Sequence, residues 1–392
     1  MTATRIAFVS DAVYPFHKGG KETRLHEISR RLVGRGREVH IYTMKWWRGP
    51  PKICLDGVWF HAICKQRPLY KKGHRSTAEA LLFGLATLRL LTASFDVVDV
   101  DHMPLFPLFT AKLVCALRRK PLYATWHEVW GREYWRTYLG SLGVIGSVIE
   151  RLSVWLPQVI ISNSDHTTRR LRSMAPDLRV ETVPLGVDFQ RVDAAPPGSL
   201  TSDVIYAGRL VSHKNVDVLI EAVAVARRQR PGIRCLVVGE GPERERLEAL
   251  ARRLELAGNM QFIDFVPGHD DLFGLMKSSS VFVLPSEREG FGAVVLEANA
   301  CGLAVVTVEH PDNAARQLVR NGENGYVTEL APQPLASAIL RSIEGHARLR
   351  PRETVERHFR DNDWSAVADR VDRILSQPAT PGDAAPALGR AA

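Results

Sequence analysis

Residues 284–298 read Leu-Pro-Ser-Glu-Arg-Glu-Gly-Phe-Gly-Ala-Val-Val-Leu-Glu-Ala, and the change of period across them decides the fold. The apolar run Val281-Phe-Val-Leu284 reads as a buried strand that breaks at Pro285. A polar loop carrying Glu289 follows, then Gly290-Phe291-Gly292, and after it a helical pattern with Glu297 in the second turn. Two glycines at a strand-to-helix turn let backbone N–H groups come close to a ligand, and a helix N-terminus attracts phosphate. Glu289 and Glu297 flank that turn as acceptors suited to hydroxyl groups. One ligand with phosphate and polyol ends fits, such as a nucleotide-sugar.

The same alternation runs outward in both directions. Strand-like segments are expected at 5–10, 38–43, 58–63, 97–99, 121–125 and 159–162, then at 204–207, 235–239, 261–264, 281–284 and 304–308. Amphipathic stretches separate them; in 22–35, Leu25, Ile28, Leu32 and Val33 share one helix face. Strands alternating with helices imply parallel β-α-β units. At 392 residues the chain exceeds one ordinary core. The expected fold is α/β, two Rossmann-like doubly wound domains facing across a cleft. Residues 1–190 form the first and 198–362 the second, with the turn-rich 193–199 between them. A helix over 363–376 packs back toward the first domain, and the Ala/Pro/Gly segment 377–392 forms a disordered tail.

Composition excludes several classes. Five scattered cysteines without a C-x-x-C pair argue against a disulfide framework or structural zinc and for a reducing cytoplasm. The first strand begins at Arg5 with no signal peptide pattern before it, and no stretch has the ~20 uninterrupted apolar residues of a spanning helix. The net charge of +9 is uneven: residues 1–185 hold 28 Lys and Arg against 15 Asp and Glu, the remainder 24 against 28. A basic first half suits a phosphorylated acceptor, an anionic membrane surface or nucleic acid, and is equally what arginine-rich coding gives.

Tyr206-Ala-Gly-Arg-Leu-Val-Ser-His-Lys-Asn215 opens the second domain directly after a strand. Arg209 and Lys214 leave that loop at a spacing that can converge on a diphosphate, Arg as a bidentate fork and Lys as a point charge. Val238-Gly-Glu-Gly-Pro242 comes next in order, then the Glu289/Glu297 run. This combination resembles the family 4 glycosyltransferases, retaining enzymes of the GT-B fold. The resemblance spans residues 5–375. Its strongest part is Glu289-x7-Glu297, the family's E-x7-E element, supported by Gly19-Gly20, Gly208-Arg-Leu210 with Lys214, Gly186-Val-Asp188 and Asn321-Gly-x-Asn-Gly325.

The resemblance implies a glycosyltransferase that moves a sugar from a UDP- or GDP-sugar donor with retention of configuration. Arg209 and Lys214 would grip the donor diphosphate, and Glu289 would hold hydroxyls of the transferred sugar. Glu297 would take the ribose, and the amides of Gly290, Phe291 and Gly292 the distal phosphate. Gly19 and Gly20 would close over the diphosphate, with base contacts from the loop after Phe262-Ile-Asp-Phe-Val266. His127, in Thr125-Trp-His-Glu128, matches a family histidine that contacts the donor sugar and assists catalysis. Retention would follow the front-face route, in which a leaving phosphate oxygen takes the acceptor proton.

Asp99-Val-Asp101 spells D-x-D, a metal-binding pattern in other glycosyltransferases. Here it closes a first-domain strand while the phosphate equipment lies in the second, so Asp99 reads as a strand-end or turn carboxylate and no metal or other cofactor is expected. The acceptor is open: lipid-linked, phosphorylated, a glycan or a secondary metabolite. Aromatics among cations in a loop over 126–138, the apolar 142–156, Trp46-Trp47-Arg48 and the basic 67–75 suit peripheral contact with an anionic cytoplasmic membrane face. A sugar-nucleotide epimerase of the same architecture is the alternative enzyme. Nucleic-acid binding is opposed by dispersed positive charge and the absence of helix-turn-helix, zinc or RNP motifs.

Overall fold

The computed structural model describes residues 4–71, 74–266 and 268–377, without the side chains of 70, 71, 74 and 75. Residues 378–392, most of the expected tail, lie outside the described set, as do 70–75 of the basic run 67–75 in their side chains. The chain divides into two units, Met1–Leu185 with Trp364–Ala392, and Gly186–Asp363.

The first unit is an eight-stranded sheet. Its spatial order is Val180–Thr182, Val159–Ser162, Leu122–Trp126, Val97–Asp101, Arg5–Val9, Glu38–Lys45, Val58–Lys65 and Lys52–Leu55, parallel but for the antiparallel last strand. The order reverses between Arg5–Val9 and Val97–Asp101, and loops leaving such a switch point form a ligand crevice. Period-2 alternation sorts the strands' side chains. Ala7, Val9, Val98, Val100, Leu122 and Ala124 share one core cluster with Phe83, Leu90, Leu108, Val114 and Trp135 from helical segments. Helix Gly20–Gly34 packs on helix Trp364–Ser376, an arrangement fixed by ion pairs Arg37–Asp372 at 2.8 Å and Arg35–Asp369 at 2.7 Å.

The second unit is a six-stranded parallel sheet: Met260–Ile263, Cys235–Val238, Ser202–Ala207, Ser279–Leu284, Ala304–Val308 and Gly325–Thr328. Its four central strands are largely apolar runs buried on both faces, as parallel sheets require; Val204, Ile205, Val237, Val281, Phe282 and Val283 have no exposed surface. The switch point lies between Ser202–Ala207 and Ser279–Leu284. Short edge strands Lys52–Leu55, Val180–Thr182 and Gly325–Thr328 were not expected from the sequence, because three or four residues leave too little alternation to read.

The aromatic run 126–138 is not a loop. Trp126 ends a strand, and Gly131–Leu139 is a helix on which Tyr134 and Tyr138, one turn apart, meet Trp130 edge-on. Trp126, Trp130 and Trp135 are buried, so these rings are core. No helix among the described residues is long and apolar enough to cross a membrane.

Candidate functional site

In the second unit, loops 208–215 and 285–292 leave adjacent strands at the switch point. They are stitched together by the Glu287 amide donating to His213 O (3.2 Å) and Asn215 Nδ2 to Pro285 O (3.3 Å). Lys214 Nζ sits 2.6 Å from Glu289 Oε1. Burial, then the charges of Lys214, Arg288 and Arg209, push His213 down to about 3, which keeps it neutral beside three cations. A loop end with so much positive charge around one carboxylate is built to take an anion and a hydroxyl together.

The loop 239–241 presses against the first of these. A Cβ at Gly239 would stand 1.9 Å from Gly208 O, and one at Gly241 2.2 Å from Leu210 O, so the Gly-Glu-Gly motif exists for close backbone approach. Gly292, at φ +86°, caps the helix Ala293–Ala300. A Cβ there would meet Ala315 Cβ at 2.3 Å, so only glycine fits. Residues 312–315 also hold the carboxylate loop: the Glu289 amide donates to Asp312 O (3.0 Å), and the Ala314 amide to Glu289 O (2.9 Å). Phe291 is buried beneath the turn. Glu297 is buried on the helix, and its Oε1 lies 2.9 Å from Nε2 of His269, the first residue of helix His269–Lys277 after the loop expected to meet a base.

The first unit gathers a second cluster at its own switch point. Gly19 caps helix Gly20–Gly34, and Lys21 in its first turn reaches Asp11 Oδ1 at 2.5 Å, Ser10 Oγ at 3.1 Å and Asp101 Oδ2 at 3.6 Å. His127 follows strand Leu122–Trp126, and its Nε2 lies 2.9 Å from Asp101 Oδ1. Burial works to raise the Asp101 pKa. Lys21 and His127, by charge and hydrogen bond, outweigh it and hold Asp101 well below the usual carboxylate range. Asp99 corrects the sequence expectation: it lies within strand Val97–Asp101, buried, and accepts from Thr125 Oγ1 at 2.7 Å. Burial, supported by the Asp101 charge, raises it to about 7. Buried Arg24 faces both carboxylates across a small cavity and donates to Val183 O at 3.3 Å.

The structure therefore joins Lys214 to Glu289 and sets Glu297 against His269. It places His127 with Asp101, one member of the pair of aspartates that sequence reasoning set aside. His213, His269, Asp11 and Lys21 were missed. Lys21 directly follows Gly19-Gly20 and His213 directly precedes Lys214, which were the available signals. Glu128 accepts from Trp130 Nε1 at 2.5 Å, within the aromatic core. Among the described residues no group of three or more His, Cys, Asp or Glu is gathered as a metal would need.

Residues 199–358 match the family described as Glycosyl transferases group 1, and residues 18–191 match Glycosyltransferase Family 4. The chain is 32% identical to glycogen synthase of Mycobacterium tuberculosis over 196 residues, 48% of this chain and 46% of that protein. It is 27% identical to a phosphatidyl-myo-inositol mannosyltransferase of the same species over 332 residues, 79% of this chain and 82% of the relative. Relatives matching at 32–34% identity are spanned over 35–46% of their length. Among solved structures, Anabaena HepE in complex with UDP and glucose superposes with a TM-score of 0.72 at 18% identity, over 95% of this chain and 99% of that one. That likeness shows the fold, two doubly wound units of the GT-B class.

Proposed function

Because the chain belongs to the family 4 glycosyltransferases, both of whose domain models it matches, we propose that it transfers a sugar from a nucleoside diphosphate donor to an acceptor hydroxyl with retention of configuration. The observation that carries this is the Lys214–Glu289 pair at 2.6 Å, set at a glycine turn that opens a helix. Arg209 and Lys214 bind the diphosphate and stabilise the charge that grows on it as the sugar departs. Glu289 holds hydroxyls of the transferred sugar, Glu297 takes the ribose, and the amides of residues 290–292 meet the distal phosphate. For His127 and Gly20 of the first unit, a role toward the donor rests on the family resemblance alone.

In the reaction the bond from the anomeric carbon to the diphosphate oxygen breaks, and the bond to the acceptor oxygen forms on the same face. The acceptor proton goes to the leaving phosphate oxygen, so no protein nucleophile is needed. Cations of the chain serve the diphosphate, and we assign no metal to the reaction. The acceptor is lipid-linked and is met at an anionic cytoplasmic membrane face. The basic first unit supports that reading, as does similarity over 79% of the chain to a phosphatidyl-myo-inositol mannosyltransferase.

The test is a thermal-shift panel of UDP-, GDP- and ADP-sugars, followed by transfer assays with the stabilising donor. One donor class should raise the melting temperature, and Arg209→Ala should remove most of that shift. Epimer formation from the donor alone, without acceptor, would replace this reading with a sugar-nucleotide epimerase.

A further inference from the structure

Helix Gly143–Ser153 is built inside out. Its buried positions are Gly143, Gly146, Glu150 and Ser153, while Ile145 and Val148 are more than half exposed. The inward face cannot exchange with the outward one. A Cβ at Gly146 would stand 2.4 Å from the Trp135 ring, and one at Gly143 2.2 Å from Trp135 O. Glu150 is held inward by three donors: the amides of Trp130 and Gly131, each at 2.8 Å, and Trp135 Nε1 at 3.0 Å. The apolar stripe is therefore fixed toward the outside.

Neighbouring segments of the first unit add to this outward apolar surface. Thr77–Ala86, Thr87–Thr92, Phe106–Arg118 and Gly131–Leu139 all send residues into the core cluster on one face of the sheet. Among the described residues, twelve of the fifteen exposed large apolar side chains lie between positions 81 and 152, on or beside these helices. Leu85, Leu113, Leu117 and Leu142 are each more than half exposed. A patch this dense is uncommon on a protein that meets only water. Its charge is one-sided. Arg89, Arg132, Arg136 and Arg151 are exposed on these segments, whereas Glu79 and Glu150 are buried, leaving Glu133 as their exposed acid.

Apolar side chains among arginines, with almost no exposed acid, match an anionic bilayer interface: acyl boundary for the leucines, phosphate headgroups for the cations. We propose that this helical layer is a docking surface for an anionic phospholipid bilayer, onto which the first unit settles with Leu85, Leu117, Ile145 and Val148 inserted. It deepens the reading of a lipid-borne acceptor, on which it rests.

The full chain should co-sediment with vesicles of phosphatidylcholine plus phosphatidylglycerol, and weakly with phosphatidylcholine alone. Leu85→Glu with Ile145→Glu should reduce binding by about tenfold or more, since two apolar contacts are replaced by like charge. Arg132→Glu with Arg136→Glu should lower binding and flatten its salt dependence. Melting temperature and the shift caused by UDP or GDP monitor folding in each variant. Absence of vesicle binding while the nucleotide still stabilises the protein would overturn the surface and leave the donor reading standing. Equal binding to neutral vesicles, or binding unaffected by both pairs of substitutions, would also overturn it. So would a concentration-dependent dimer that the glutamates disperse. Vesicle binding with no nucleotide effect would instead count against the donor site.

Discussion

Lys214 Nζ and Glu289 Oε1 are 2.6 Å apart, 75 residues apart in the chain, and their side chains are only 14% and 12% exposed. The two groups assigned to opposite ends of a donor thus pair with each other. A diphosphate arriving at Lys214 must compete with the carboxylate already there. Glu289→Gln removes that competition and keeps the shape, so UDP or GDP should bind roughly three- to tenfold tighter. Transfer should meanwhile fall on the order of a hundredfold or more, because the sugar loses its charged acceptor. Titration calorimetry and turnover measured together decide it. Weaker nucleotide binding in the glutamine variant would show that Glu289 serves the phosphate side instead.

The Asp101–His127 pair carries a different expectation. An ionised Asp101 accepts from Nε2–H, which fixes the orientation of the ring proposed to contact the donor sugar. Asp101→Asn breaks the charge-assisted bond while nearly preserving volume. The rate should drop roughly ten- to a hundredfold, the range set by losing one such bond. The loss should fall on kcat with KM for the donor little changed, since the ring keeps its place but loses the partner that orients it. A change in melting temperature with kcat unmoved would make Asp101 purely structural.

These two pairs also mark where the sequence stops being readable. The strand, glycine turn and helix of 281–300 could be seen because each obeys its own period, and Gly292 occupies a conformation that excludes side chains. Which loops meet depends on strand order, which periodicity does not encode. Lys214 reaches Glu289 because Ser202–Ala207 pairs with Ser279–Leu284, with Ile205 opposite Phe282. Asp101 reaches His127 because Asp101 pairs with Thr125 in register. Without that register, Asp99-Val-Asp101 is two acids at a strand end. The aromatic segment misled for another reason: three tryptophans among cations look like an exposed loop until Glu150, 15 residues beyond Trp135, supplies a buried acceptor for the Trp135 indole and the Trp130 amide.

Gly292 offers a test of the helix cap that does not depend on any ligand. Alanine there must adopt φ +86° and place its Cβ 2.3 Å from Ala315 Cβ. Gly292→Ala should cost about 1–3 kcal/mol in urea denaturation. Ala315→Gly in the same chain removes the clash but not the left-handed backbone, so it should recover part of the loss and leave about 1 kcal/mol. Full recovery would mean that crowding alone selects glycine; no loss at all would mean that the turn readily rearranges.

Asp99 makes stability depend on pH in a direction opposite to an ordinary salt-bridged carboxylate. Burial, with the Asp101 charge beside it, lifts it to about 7, against roughly 3.9 in an unfolded chain. Between those values the folded protein holds a proton that the unfolded chain has released. Its contribution is therefore complete below about pH 4 and is lost as pH rises through 7. Asp99→Asn keeps an acceptor for Thr125 and removes the ionisation. Relative to wild type, the asparagine variant should gain stability as pH rises across that window, at up to about 1.4 kcal/mol per pH unit. Urea midpoints at pH 4.5, 5.5, 6.5 and 7.5, chosen to span about that interval, measure the difference directly. Parallel curves for the two proteins would show that Asp99 is already ionised at the lowest of these values and that Arg24 outweighs its burial.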